Sequence, residues 1–174
     1  MIVSIMGLTG SGKSTVAARI AALEDMHLFD MDFEFPEEYR CRCRSGEVVS
    51  ASDVTVYQHD MMHRMLKIAS KRSVVMAGFF LSTELPALLN GQASVLWINL
   101  VTNNRLILEE RVLQRKGHFA KGLAVLEDNW PNRHEQIVGD VCIDCEQPIG
   151  TIVGICLQLI HTFSATQASR GVTI

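Results

Sequence analysis

Gly7-Leu8-Thr9-Gly10-Ser11-Gly12-Lys13-Ser14 follows directly on the apolar run Ile2-Val3-Ser4-Ile5-Met6. The run reads as a buried strand, and Val16, Ile20 and Leu23 beyond it share one face of a helix. In that strand–loop–helix setting the stretch is a complete phosphate-binding P-loop. Its glycines let the backbone wrap with N–H groups aimed at phosphate oxygens, and the helix N-terminus adds the positive end of a dipole. Gly7, Leu8, Thr9, Gly10, Ser11, Gly12, Lys13, Ser14 and Thr15 are therefore the candidate nucleotide-binding residues. Lys13 is the candidate catalytic cation for the β- and γ-phosphates of ATP, and the Ser14 hydroxyl is a candidate ligand for Mg²⁺.

The chain has 174 residues, 48% of them hydrophobic, and a net charge of −3. That suffices for one domain with a proper core and excludes disorder as the main state. A pI near 6.1 gives no general reason to expect a nucleic-acid partner. The five cysteines are an odd number, and Met1 runs straight into the first strand. The expectation is a cytoplasmic protein with reduced thiols. The longest apolar stretch, Ile149 to Ile160, contains Gly and Gln and reads as too short to span a bilayer, so no membrane association is expected.

Five apolar runs alternate with helical patterns: Ile2–Met6, His27–Phe29, Ser73–Ala77, Val95–Leu100 and Val141–Ile143. Such alternation predicts an α/β fold, a parallel sheet covered by helices on both faces. Ile149, Ile152, Val153, Cys156, Leu157 and Ile160 hold a helical period after Pro148, a residue suited to a helix start. A single domain is expected to span residues 1–163, and the polar, aperiodic tail Ser164–Ile174 to fray. Two stretches break the alternation, from Asp30 to about Ser52 and from Lys116 to about Glu135. They suit an acceptor-binding segment (30–52) and a mobile lid (116–135), because phosphoryl transfer must exclude water.

Asp30-Met31-Asp32 closes the second strand. On an extended segment carboxylates at i and i+2 point to one side, here toward the crevice at the strand's carboxyl end. Asp30 is assigned to the metal and Asp32 to the acceptor hydroxyl, which it would bind and deprotonate. No apolar run ends in an acid that would make a typical Walker B site; the third strand runs into Val75-Met76-Ala77-Gly78. Arg111 and Arg115 are four apart on a predicted helix that Gly117 ends, so they share a face and repel unless an anion lies near. Nucleotide phosphates would be that anion, and an arginine at the transferring group stabilises transition-state charge. Both are candidate nucleotide contacts, with Arg115 also catalytic. Arg40-Cys41-Arg42-Cys43-Arg44 concentrates cations in the acceptor segment. Arg42 is a candidate substrate contact, with a plain exposed face equally open. Cys142-Ile143-Asp144-Cys145 reads as core packing, and His59 with His63 as too few ligands for zinc.

These residues carry a resemblance to the gluconate kinase family, within the shikimate-kinase-like and adenylate-kinase-like P-loop kinases. It covers most of residues 1–163 and rests on Gly7–Ser14, on Asp30 through Pro36-Glu37-Glu38 to Ser45-Gly46, on Arg115-Lys116-Gly117-His118-Phe119, and on Gln147-Pro148. The resemblance implies a three-layer α/β/α P-loop NTPase with a five-stranded parallel sheet, often in a homodimer. It also implies transfer of the ATP γ-phosphoryl group to a sugar-acid hydroxyl. The chain departs from the family in its acceptor half. Phe35 stands where a His usually precedes the Pro, and Val54 where an Arg follows an acid. Gly78-Phe79-Phe80-Leu81-Ser82-Thr83-Glu84 replaces an Ala-Leu-Lys followed by Tyr-Arg-Asp. A site that reads many hydroxyls needs each partner in place. The expectation is an ATP- and Mg²⁺-dependent phosphotransferase acting on a hydroxyl of a small metabolite, gluconokinase-like but with a more apolar acceptor pocket lined by Phe35, Val54, Phe79 and Phe80. Two other readings stay open: a kinase for a shikimate-like acid, a nucleotide or a cofactor precursor, and a non-catalytic nucleotide-binding regulatory protein.

Overall fold

The computed structural model describes residues 1–45, 47, 49–80, 84–114, 141–169 and 171. Along the chain lie β1 (Ile2–Gly7), α1 (Lys13–Leu23), β2 (His27–Asp30), α2 (Met31–Glu34), α3 (Glu37–Arg44) and α4 (Ala51–Ala69). Then come β3 (Val74–Gly78), α5 (Glu84–Gln92), β4 (Val95–Val101), α6 (Arg105–Gln114), β5 (Val141–Asp144) and α7 (Ile149–Ser169). The strands pair in the order β2-β3-β1-β4-β5, all parallel. Each of the five apolar runs is a strand, displaced by no more than a residue or so at its ends.

β1 lies at the centre of the sheet, with Ile5 opposite Ala77 on β3 and Ile98 on β4. A parallel strand covered on both faces must be apolar throughout, which explains the unbroken Ile2-to-Met6 run. Strand alternation then divides its side chains between two cores. Val3 and Ile5 pack with Val16, Ile20, Ile152, Cys156 and Ile160 beneath α1 and α7. Ile2 and Met6 pack with Met61, Met65, Leu85, Leu89 and Trp97 beneath α4 and α5. The result is the expected three-layer α/β/α arrangement, in which every strand's carboxyl end opens on one edge of the sheet.

Three expectations need correction. Leu23 was placed on the buried face of α1, but it sits at the helix's last residue, beyond the rim of the sheet, and is 64% exposed. The chain does not fray from Ser164: the helix that opens on the apolar stretch Ile149 to Ile160 continues to Ser169. Extending a formed helix is cheap, and Ala165, Gln167 and Ala168 favour it. The polar pattern marks a solvated surface on which Thr162 and Thr166 hydroxyls bond back to the Gln158 and Thr162 carbonyls. By length and composition alone this helix could cross a membrane. Its buried residues Ile152, Val153, Cys156 and Ile160 instead complete the core against α1 and the sheet. The expected lid at 116–135 lies outside the described residues.

Ile5 is fully buried between flanking strands. Ile5→Ala should therefore destabilise the fold by about 2–5 kcal/mol, read as a lowered midpoint in urea; a loss well under 1 kcal/mol would show that the β1 core is not packed as described.

Candidate active site

The turn from β1 into α1 is built on backbone that only glycine adopts without strain. Gly10 has φ +88°, and a Cβ there would lie 2.8 Å from the Leu108 carbonyl oxygen on α6. Gly12 has φ +92° and precedes the first residue of α1; a Cβ there would meet nothing within 4 Å. No side-chain hydrogen bond caps the start of α1, and the space beside Gly12 is clear. The Ser11 hydroxyl is buried with no hydrogen-bond partner among the described residues. Uncapped amides, an orphaned hydroxyl and a cleared cradle are what a phosphate chain would fill. Lys13 is buried at the start of α1, within electrostatic reach of Asp30.

Asp30 ends β2 and is itself buried. Its carboxylate accepts a hydrogen bond at 3.1 Å from the Asp32 backbone N–H, and the Ser14 hydroxyl lies near it. Burial pushes its carboxyl above the ordinary value. The Ser14 hydroxyl opposes that shift, the nearby Asp32 charge adds to it, and the Asp32 N–H and Lys13 oppose it. The two residues assigned to Mg²⁺ thus lie near one another, although separate elements supply them. The extended Asp30-to-Asp32 segment expected from sequence is not found. Asp30 acts as the N-cap of α2, and its bond to the Asp32 N–H turns the chain into a helix that carries Asp32. Asp32 stays within electrostatic reach of Asp30 and of Tyr39.

Two contacts unread in the sequence hold α2 in place. Met31 packs over Gly78 at the end of β3 so closely that a Cβ on that glycine would collide with it. Arg64 of α4 donates from Nη1 to Glu34 Oε2 at 2.6 Å and from Nη2 to the Glu34 carbonyl at 3.0 Å, while its Nε bonds Asp60 at 3.0 Å. The only sequence signal was a charged residue on a long helix, which names no partner.

Two clefts flank the loop. One, of about 360 Å³, is lined by Gly10, Gly12, Thr15, Arg111, Cys145 and Gln147. The other, of about 400 Å³, includes Gly7, Leu8, Ser11, Phe79, Asn99 and Thr102. Arg111 does lie beside the loop, but its Nη1 donates to the Cys145 carbonyl at 3.0 Å, so the turn after β5 anchors it. Cys145 is buried, as core packing predicts, whereas Cys142 is exposed. All five cysteines are free. Among the described residues no group of three or more His, Cys, Asp or Glu could hold a metal. Arg115 and the Lys116–Phe119 stretch lie outside the described residues.

On the acceptor side, Phe35 is buried and stacks on Tyr39 at 4.2 Å between ring centroids. Tyr57 of α4 meets both edge-on, at 6.3 Å from Phe35 and 5.6 Å from Tyr39. Val54 is buried one turn before Tyr57. Neither tyrosine was singled out from the sequence, because they come from different helices. Arg42, the candidate substrate contact, is engaged by Glu47 through Nε at 2.8 Å and Nη2 at 2.7 Å. Arg40 and Arg44 both pair with Glu37. Phe80 was expected in the pocket but is buried in the core, edge-on to Trp97 at 6.2 Å. Gln58, itself buried, donates to the Phe79 carbonyl at 2.7 Å and fixes the chain as it leaves β3.

Residues 9–117 match the family model described as shikimate kinase. The chain is 26% identical over 163 residues to the thermoresistant gluconokinase of Escherichia coli strain K12, covering 90% of this chain and 91% of that protein. Among solved structures it superposes on a gluconokinase from Sinorhizobium meliloti 1021 with a TM-score of 0.76 and 24% identity, covering 97% of this chain and 95% of the other. A sugar kinase from Janibacter sp. HTCC2649 gives a TM-score of 0.75 and 21% identity, covering 92% and 94%.

The raised Asp30 carboxyl has a measurable consequence. The folded chain binds that proton more tightly than the unfolded chain, so the associated stability is fully present below the unfolded value. It is lost as pH rises through the raised folded value. Asp30→Asn removes the titration and keeps a capping side chain. In metal-free buffer, the variant's stability relative to wild type should rise as pH goes from about 4 to about 7; a difference independent of pH over that range would show that Asp30 is not desolvated.

Proposed function

The chain belongs to the shikimate kinase family of small-molecule kinases, and from that premise we propose that it moves the γ-phosphoryl group of ATP to a hydroxyl of a small metabolite. The observation that carries this is the approach of the Ser14 hydroxyl to the buried Asp30 carboxylate at the mouth of the loop. It brings together the hydroxyl and the carboxylate that a nucleotide-bound Mg²⁺ would need, beside buried Lys13. Bound there, Mg²⁺ would neutralise charge on the β- and γ-phosphate oxygens. The loop amides and Lys13 orient the phosphate chain. Arg111, held by the Cys145 carbonyl, serves the nucleotide side. Arg115 is assigned to the lid side, with residues 116–135 as the lid over a single 1–163 kinase domain.

Asp32 is the acceptor residue. Its carboxylate accepts the proton of the substrate hydroxyl as that oxygen attacks the γ-phosphorus and ADP departs. The acceptor segment, about residues 30–52, has Phe35 and buried Val54 where the resemblance expects polar groups. This supports a gluconokinase-like enzyme with an altered acceptor pocket. A different acceptor is the second reading, favoured by the engagement of Arg42 with Glu47.

Lys13→Ala should cut turnover by orders of magnitude with an unchanged melting temperature, because the loop's charge acts on phosphates and not on the core. Asp32→Asn should lower kcat far more than it weakens ATP binding. ADP release from MgATP across gluconate, other sugar acids, shikimate and nucleoside monophosphates checks both. Wild-type turnover in Lys13→Ala would end the P-loop assignment.

A further inference from the structure

Phe35, Tyr39 and Tyr57 meet on the acceptor side of Asp32 as one aromatic cluster. Phe35 lies at the C-terminal end of α2, Tyr39 on α3 and Tyr57 on α4. Phe35 is buried and serves as the base of the cluster, while both tyrosines are only half-buried. Tyr39 is within electrostatic reach of Asp32, so the rings and the proposed base share one locality. Aromatic rings offer flat, apolar faces with an electron-rich centre, a surface that favours another planar ring.

The charges beside this cluster argue in the same direction. Each guanidinium on α3 already has a carboxylate: Arg40 and Arg44 bond Glu37 at 2.6 and 2.7 Å, and Arg42 bonds Glu47 at 2.7 Å. Asp32 adds negative charge at the reacting end. Arg40 keeps a buried Nε without a hydrogen-bond partner among the described residues, but at the paired nitrogens an acidic acceptor would compete with Glu37 and Glu47, and it would also approach Asp32. A neutral acceptor does neither.

We infer that the acceptor is an uncharged alcohol bearing a planar ring, as a nucleoside or a hydroxymethyl-pyridine does, with its ring against Tyr39 and Tyr57 and its hydroxyl at Asp32. The inference rests on the kinase reading above and deepens it, because it names the acceptor class. The cluster and the spent arginines set specificity through binding, so they act chiefly on KM, while Asp32 acts on kcat.

The test measures ADP release from MgATP by the full chain with thymidine, adenosine and pyridoxine against gluconate and shikimate. A ring alcohol is expected to give the higher kcat/KM. Tyr57→Leu should raise the KM for that alcohol by about tenfold with little change in kcat, and Tyr57→Phe should restore it. Melting temperatures of both variants separate binding from loss of fold. If Tyr57→Leu does not fold, the wild-type comparison of ring alcohols with acids decides alone. Equal or better use of gluconate or shikimate overturns the inference. So does the absence of stimulation by every ring alcohol in a chain that binds MgATP, and so does a folded Tyr57→Leu variant with unchanged KM. The kinase reading fails separately, through absent MgATP binding or through ADP release that Lys13→Ala leaves intact.

Discussion

The turn between β1 and α1 is the constraint on which the remaining geometry depends. β1 is the central strand, bonded on both sides, so its carboxyl end cannot shift without dragging β3 and β4. α1 must nonetheless begin within a few residues, and Gly10 and Gly12 make this feasible by taking left-handed backbone. Gly10 also lets the loop pass against the Leu108 carbonyl, which ties it to α6. A rigid loop with open amides is thus a by-product of joining a central strand to a helix in so short a space. Its electrostatic value follows because the amides are already oriented and need no reorganisation when an anion arrives.

The second half of the site is referred to that loop through one residue. Asp30 faces two elements: its carboxylate lies beside the Ser14 hydroxyl of α1 and accepts the Asp32 N–H from α2. That capping bond decides that the chain leaves β2 as a helix. Met31 against Gly78 and Arg64 against Glu34 then fix that helix to β3 and α4. The position of Asp32 is therefore over-determined by contacts that involve none of its own side-chain atoms. Burying Asp30 disfavours its charged form, an arrangement that a fold tolerates where a cation is to be received.

Charge on the acceptor side is distributed differently from charge at the loop. At the loop, no side chain caps the start of α1, and the buried Ser11 hydroxyl has no hydrogen-bond partner among the described residues. On α3, by contrast, each arginine is already engaged by Glu37 or Glu47. A run of alternating Arg and Cys shows cations to the reader of a sequence, but the glutamates that meet them sit before and after the run. Phe80 illustrates the same point for apolar residues: adjacent to Phe79 in sequence, it turns into the core against Trp97 while Phe79 borders a cleft.

The sequence by itself determined the sheet and the loop and named candidate site residues. Unbroken apolar runs can be satisfied only by strands covered on both faces, and Gly-Ser-Gly-Lys-Ser after such a run has one backbone solution. Asp30 and Ser14 could be proposed from sequence as a metal pair because each holds a local position at the end of an element. Tertiary structure alone decided the helix that carries Asp32, the anchoring of Arg111 on Cys145, the meeting of Phe35, Tyr39 and Tyr57, and the neutralisation of Arg42. It also decided that α7 runs to Ser169, since a polar pattern does not distinguish a solvated helix from a frayed tail. Each of these is a contact between residues far apart in the chain or on different elements. Periodicity and spacing report on which face a residue lies, and only packing reports what lies opposite it.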